Sequence, residues 1–322
     1  MKSNSMYKNQ IALLCLFLLY SINTVFAQSS KSDKTMSNKE NQAVYTQETA
    51  PTQYIEVKGT KYAYRSFGQK EGIPLVFFIH FVATMDDWDP AVINPLAEKH
   101  PVILFDNTGV GGSEGITPDN IEGMATDAAD VIKALGYKKV NLVGFSIGGF
   151  IAQVIAANNP ELINKVVLAG TGHIGGKYTA NILKHVEAAQ KAEPTNPRLY
   201  LFFAPTESSR QAGLGYTSRL QTRIKEDRVP AFTQTAIQNQ AKAIIDWGTR
   251  QDEDFNLLKK IKQPTLIVNG NNDIMVATID SYNMVQNIPN AKLIIWSDSG
   301  HGALYQYHDD FTREVNTFLK ED

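Results

Sequence analysis

The feature that most constrains this chain is a repeating alternation of short, largely apolar runs with longer stretches of helical spacing. Pro74-Leu75-Val76-Phe77-Phe78-Ile79 contains no polar position, and a strand of that kind has to be covered on both faces, as in a parallel sheet. Residues 102–105, 140–143 and 165–169 also read as strands, each apolar apart from at most one position, and residues 265–268 and 292–295 resume the strand signal near the C-terminus. Between them, residues 121–135 and 147–158 read as helices, the first closed by Gly136 and the second by Pro160. A closing helix is expected over residues 303–319. Tyr54-Ile55-Glu56-Val57 and Lys61-Tyr62-Ala63-Tyr64-Arg65 flank a Gly59 turn, the signature of an antiparallel hairpin ahead of the apolar runs. The implied class is α/β, a mostly parallel central sheet flanked by helices.

From residue 172 to about 252 the strand signal disappears. Ile182, Val186 and Ala189 share one helical face, as do Ile237, Ala241, Ile244 and Ile245, while Pro197, Pro205 and Pro230 divide the segment. The length exceeds what a single crossover connection requires, so an inserted helical cap is expected over 172–252. It would divide the sheet-bearing core into residues 52–171 and 253–322.

The first residues read differently. Lys2 and Lys8 precede an apolar run at 11–20, and Val25-Phe26-Ala27 then offers small residues for cleavage, so residues 1–27 are expected to be a signal peptide. The run falls short of the roughly 20 apolar residues a membrane span needs, which favours cleavage, without stable membrane insertion afterwards, over a retained anchor. The single cysteine, Cys15, lies inside this run and follows Leu14, where lipid attachment would want a small residue. Residues 28–51, rich in Ser, Lys, Asn, Gln and Thr, are expected to form a flexible leader. A mature chain without cysteine, in a periplasmic or extracellular setting, would rely on packing alone.

Thirty-one basic residues against thirty-three acidic ones give a net charge of −2, with no field to recruit nucleic acid or an anionic membrane. A small-molecule substrate is the expected partner. Nothing in the pattern points to an oligomeric state.

The sharpest local signal is Gly144-Phe145-Ser146-Ile147-Gly148-Gly149, between an apolar strand and a helix. A nucleophile on so tight a strand-to-helix turn needs small residues two positions to either side, and the amides of the following helix favour negative charge nearby. The alternative, a plain glycine-rich turn, does not account for this placement. A dinucleotide turn is disfavoured because neither this string nor Gly109-Val110-Gly111-Gly112 has the required glycine spacing.

These stretches resemble the α/β-hydrolase superfamily, in its serine hydrolase branch of esterase- and perhydrolase-like members, over nearly everything from Thr52 onward. The resemblance rests on Phe78-Ile79-His80-Phe81, on Phe105 to Ser113, on the Ser146 turn, on Asn269-Gly270-Asn271-Asn272-Asp273 and on Ser299-Gly300-His301-Gly302, with Ser, Asp and His in the order this fold uses. It implies Ser146 as nucleophile, His301 as general base and Asp273 as supporting acid, with Asp298 the competing carboxylate. His301 lies in a Gly-flanked loop past the last strand, unlike His100, His173, His185 and His308. His80 and Asp106 are implied to shape loops. The Ile147 amide is expected to donate to an oxyanion, and the resemblance puts a second donor at Val82. The family pattern carries Gly after His80 where this chain has Phe81, which leaves the path of that loop open. Phe81, Met85, Trp88 and Met275 are candidates for the walls of an acyl pocket, with plain core packing as the alternative.

No H-E-x-x-H string or close His pair points to a metal, and no cofactor is required. The expected activity is that of an exported serine hydrolase cleaving a carboxylic ester, thioester or lactone through an acyl-serine. Carbon–carbon bond hydrolysis or cofactor-free perhydrolysis with the same residues is the alternative within the class. A ligand-binding sensor with a slow or silent triad is the alternative outside it.

Overall fold

The computed structural model describes residues 45–321; the expected signal peptide and most of the expected leader lie outside them. Eight strands form one sheet in the order β1-β2-β4-β3-β5-β6-β7-β8. They are β1 (Gln53–Val57), β2 (Thr60–Gly68), β3 (Leu75–Phe78), β4 (Pro101–Phe105), β5 (Val140–Phe145), β6 (Ile163–Ala169), β7 (Thr265–Gly270) and β8 (Ala291–Trp296). β1 and β2 form the hairpin and β2 pairs antiparallel with β4; all other pairings are parallel. Every residue of β3, β4, β5 and β7 is buried, as expected of largely apolar strands covered on both faces, and the polar Asn141, Thr265 and Asn269 are buried with them. The edge strand β8 has no fully buried residue and exposes Lys292 and Ile295.

The helices are α1 (Pro90–Ala97), α2 (Ile121–Ala134), α3 (Ile147–Asn158), α4 (Ile182–Ala192), α5 (Pro197–Phe202), α6 (Glu207–Arg219), α7 (Gln234–Thr249), α8 (Asn256–Lys260), α9 (Thr278–Asn287), α10 (Ala303–Gln306) and α11 (His308–Lys320). Four of them, α4 to α7, lie between 172 and 252, where no described residue is in a strand. The expected single closing helix is instead α10 and α11, separated at Tyr307, whose ψ of 42° leaves the helical region. Phe311, Val315 and Phe318 then give α11 its buried face.

The expectation of a flexible leader reaching residue 51 needs correction at its end. Gln47 and Ala50 are buried. The Gln47 side-chain amide donates to the Met85 and Trp88 carbonyls, and Arg223 donates to the carbonyls of Gln47 and Ala50. Polar composition alone argued for disorder, but these partners satisfy the backbone and side-chain groups that burial would otherwise strand.

β3 lies between β4 and β5, so the chain passes to one side of it and then to the other. In open α/β sheets the crevice beyond the carboxyl ends of the strands at such a reversal is where ligands bind.

Candidate active site

Ser146 follows β5 directly and opens α3. Its φ of 58° and ψ of −122° belong to a region that non-glycine residues occupy only under constraint. The constraint is visible: Ser146 N–H donates to the Ala169 carbonyl at 3.0 Å, and its own carbonyl accepts from Gly149 N–H and from the Thr171 hydroxyl, both at 2.8 Å. A Cβ on Gly144 would meet the Gly148 carbonyl at 2.5 Å, so the turn closes only around glycine. A serine at a helix start ordinarily spends its hydroxyl on the first free amides; Ser146 makes no such cap, because its backbone is not extended.

His301 and Asp273 come together from the loops beyond β8 and β7. Asp273 Oδ2 lies 2.8 Å from His301 Nδ1, while Asp273 Oδ1 accepts the Met275 and Val276 amides at 2.8 and 2.9 Å. Three donors thus converge on one buried carboxylate and fix the ring tautomer with its proton on Nδ1. His301 Nε2 is buried and has no hydrogen-bond partner among the described residues. The imidazole packs 5.0 Å from the ring of Phe145, the residue preceding Ser146. Asp298, the competing carboxylate, lies away on the surface and accepts from Thr206 and Ser208.

On the other side of the turn, Gly148 presses against the end of β3, where a Cβ would meet the Phe78 carbonyl at 2.0 Å. The loop beyond β3 holds His80, whose Nδ1–H donates to the Phe81 carbonyl at 2.9 Å. Burial, aided by the Arg198 charge, pushes its pKa down to about 3, so the ring stays neutral. Asp106 ties this loop to the next by accepting from Met85 and Gly112 amides. Val82 carries a φ of 51°, costly for a β-branched residue, and its N–H donates to Gln240 Oε1 at 3.1 Å. Ile147 N–H is in the first turn of α3, where no intrahelical acceptor exists.

The expected pocket walls fare differently. Met85 and Trp88 are 0% and 1% exposed, and Trp88 packs edge-on against Phe77. They are core residues, because the capping turn at Thr84 and the Asp106 contact carry that segment inward. Met275 is likewise buried in the core cluster and Phe81 is half-buried against it. None of the four lines the cavity of about 1130 Å³ between the loop after β7 and helices α4 to α6, whose walls include Tyr200, Phe203, Arg210 and Asp273.

What sequence reasoning missed comes from the cap. Phe202 inserts its ring among His80, Phe145 and His301, at centroid distances of 5.0, 5.6 and 5.5 Å. Its carbonyl accepts from Gly302 N–H at 2.8 Å. Gln240 reaches Val82 across 158 residues of chain, and no local signal marks either residue.

Fold and site together define the class, an α/β enzyme of the hydrolase kind. A family model described as alpha/beta hydrolase fold matches residues 74–306. An α/β hydrolase fold protein from Chitinophaga pinensis superposes with a TM-score of 0.82 at 39% identity, over 86% of this chain and 100% of that one. The 2-hydroxy-6-oxononadienedioate/2-hydroxy-6-oxononatrienedioate hydrolase of Burkholderia vietnamiensis is 30% identical over 228 residues, 68% of this chain and 76% of that protein. Serine hydrolase BPHL of Mus musculus is 25% identical over 271 residues, 83% of this chain and 85% of that protein. The chain belongs to the α/β-hydrolase fold family.

Proposed function

We propose that this protein is a serine hydrolase that cleaves a carboxylic ester, thioester or lactone of a small molecule through an acyl-Ser146 intermediate. The observation that carries this reading is the His301 ring, anchored at Nδ1 by Asp273 and left with a buried, unpartnered Nε2 beside the Ser146 turn. In the reaction Ser146 Oγ adds to the carbonyl carbon as its proton passes to His301 Nε2, and Asp273 stabilises the resulting imidazolium. The tetrahedral oxygen takes its negative charge between the Ile147 and Val82 amides, each worth about 3 to 4 kcal/mol of barrier. Collapse gives the His301 proton to the alcohol or thiol, which departs from an ester or thioester and stays tethered to the acyl group from a lactone; water then repeats the sequence on the acyl-enzyme and releases the acid.

A fluorophosphonate probe tests this directly. Wild type is expected to label at one site and to hydrolyse short-chain aryl esters, and Ser146→Ala is expected to lose both, with kcat down by about 10⁴-fold or more. A wild type that neither labels nor turns over at any pH would leave a ligand-binding module.

Carbon–carbon bond hydrolysis is the second reading, favoured by the name of the Burkholderia relative. Turnover of a 2-hydroxy-6-oxo dienedioate together with inactivity on every ester would select it. Export belongs to the proposal as well, supported by Lys2, Lys8, the apolar run at 11–20 and Val25-Phe26-Ala27. N-terminal sequencing of the secreted or periplasmic protein is expected to begin at Gln28; a chain beginning at Met1 in the cytoplasm would end that part of the reading.

A further inference from the structure

Gln240 is a cap residue whose side-chain oxygen sits on the backbone proton that the proposed reaction needs. Val82 N–H donates to Gln240 Oε1 at 3.1 Å, and Gln240 is 2% exposed. Its helix, α7, is fastened to the core on both sides of that contact. Asn239 donates to the Thr117 carbonyl at 2.7 Å, Lys242 pairs with Asp119, Trp247 stacks on Phe150 with centroids 5.0 Å apart, and Arg250 pairs with Glu122 at 2.8 Å. The helix is therefore a fixed platform. Movement at this contact then falls to the Gln240 side chain, which has three rotatable bonds.

A half-buried amide at a strained φ of 51° is unfavourable twice over, through its backbone conformation and through any N–H left without an acceptor. An acceptor on a fixed helix relieves the second cost and holds the first in place. The same donor is the one the acyl oxygen must reach, so the amide carbonyl of Gln240 and the carbonyl of the substrate compete for one proton. Both are neutral sp² oxygens, which makes the first a stand-in for the second.

We propose that Gln240 is a positioning residue that holds the Val82 donor ready in the free enzyme and yields it to the substrate carbonyl by side-chain rotation. The inference rests on the serine hydrolase reading given above. It makes the cap a determinant of specificity: an acyl group gains the second oxyanion donor only if its shape under α7 allows the Gln240 side chain to swing aside.

Two substitutions with opposite expected signs test it. Gln240→Leu removes the competing acceptor, so KM for a short aryl ester is expected to fall several-fold while kcat changes less than threefold. Gln240→Glu keeps an acceptor and adds negative charge opposite the developing oxyanion, so kcat is expected to fall at least tenfold. A residue with a merely structural part would lower kcat in both variants alike without lowering KM in either, and that result would overturn the proposal. The structure of the wild-type phosphonate adduct gives a readout independent of rate, with the phosphonyl oxygen expected on Val82 N–H and Gln240 Oε1 withdrawn beyond hydrogen-bond distance. An adduct with Gln240 still on Val82 would remove the stand-in role and leave the hydrolase intact, whereas a wild type that forms no adduct would remove both.

Discussion

Gly148 has no space in which to become anything else. A Cβ there would lie 2.0 Å from the Phe78 carbonyl oxygen, a backbone atom of β3 that cannot turn away. Gly136, by contrast, needs a φ of 86° but has open space around it. Gly148→Ala is therefore expected to destabilise by about 3 kcal/mol or more through overpacking, and Gly136→Ala by only about 1 to 2 kcal/mol through backbone conformation. Urea denaturation of the pair checks this, and equal losses would mean that the close approach at Gly148 relaxes easily. At Asp273 the expected effect is on chemistry. Asp273→Asn would keep an acceptor for the Met275 and Val276 amides and turn an N–H toward His301, forcing the wrong tautomer. A drop in kcat of about 10⁴-fold with an unchanged melting temperature is expected; a drop of less than tenfold would show that another group orients the ring. The glycines around Ser146 were legible from spacing alone because the constraint is local. Its place directly after a strand favoured Asp273 over Asp298, three residues before His301 on the same loop, but contact with the imidazole depends on how the loop ends pack.

At the scale of elements, the cap and the first described residues are tied to the sheet by a cluster of buried charges. Arg65 on β2 pairs with Asp86 at 2.6 Å, with side chains 0% and 8% exposed. Asp86 also accepts the Val229 amide, and Arg223 joins Asp227 and the carbonyls at Gln47 and Ala50. Removing one partner from such a cluster leaves a buried charge uncompensated, so Arg65→Met is expected to cost about 3 to 5 kcal/mol in urea denaturation. A loss below about 1 kcal/mol would mean that the cluster contributes no more than a surface ion pair. Strands and helices of the core were legible because each carries its own periodicity. The docking of Gln47 was not, since its partner Arg223 is 176 residues away. Nor was the break at Tyr307, which interrupts an otherwise continuous helical pattern.

Across the whole molecule, two buried carboxyls other than Asp273 should shape the pH dependence of stability. Burial is the main cause that pushes Asp280 up to about 7, with the nearby Asp273 charge adding to it; burial does the same to Asp106, also to about 7, against the pull of the Gly112 and Met85 amides. Between the ordinary value of 3.8 and about 7 the folded protein holds protons that the unfolded chain has released. The contribution of these groups is therefore most favourable at acid pH, declines as pH rises through that window and is level above it. Asp280→Asn retains an acceptor for the Lys177 amide and removes the titration. The variant is expected to gain on wild type by on the order of 2 to 4 kcal/mol between pH 4 and pH 8. Parallel pH profiles of wild type and variant in thermal melts would contradict this. By itself the sequence determined the α/β class and the strained Ser146 turn, and it set the proposed nucleophile, acid and base in their order along the chain, because each depends on residue types at short spacing. Tertiary structure alone decided that Asp273 and not Asp298 meets His301, that Met85 and Trp88 are core, and that Phe202 and Gln240 descend from the cap onto the site. Those contacts join residues far apart along the chain, and only the packing of helices against the sheet sets which of them touch.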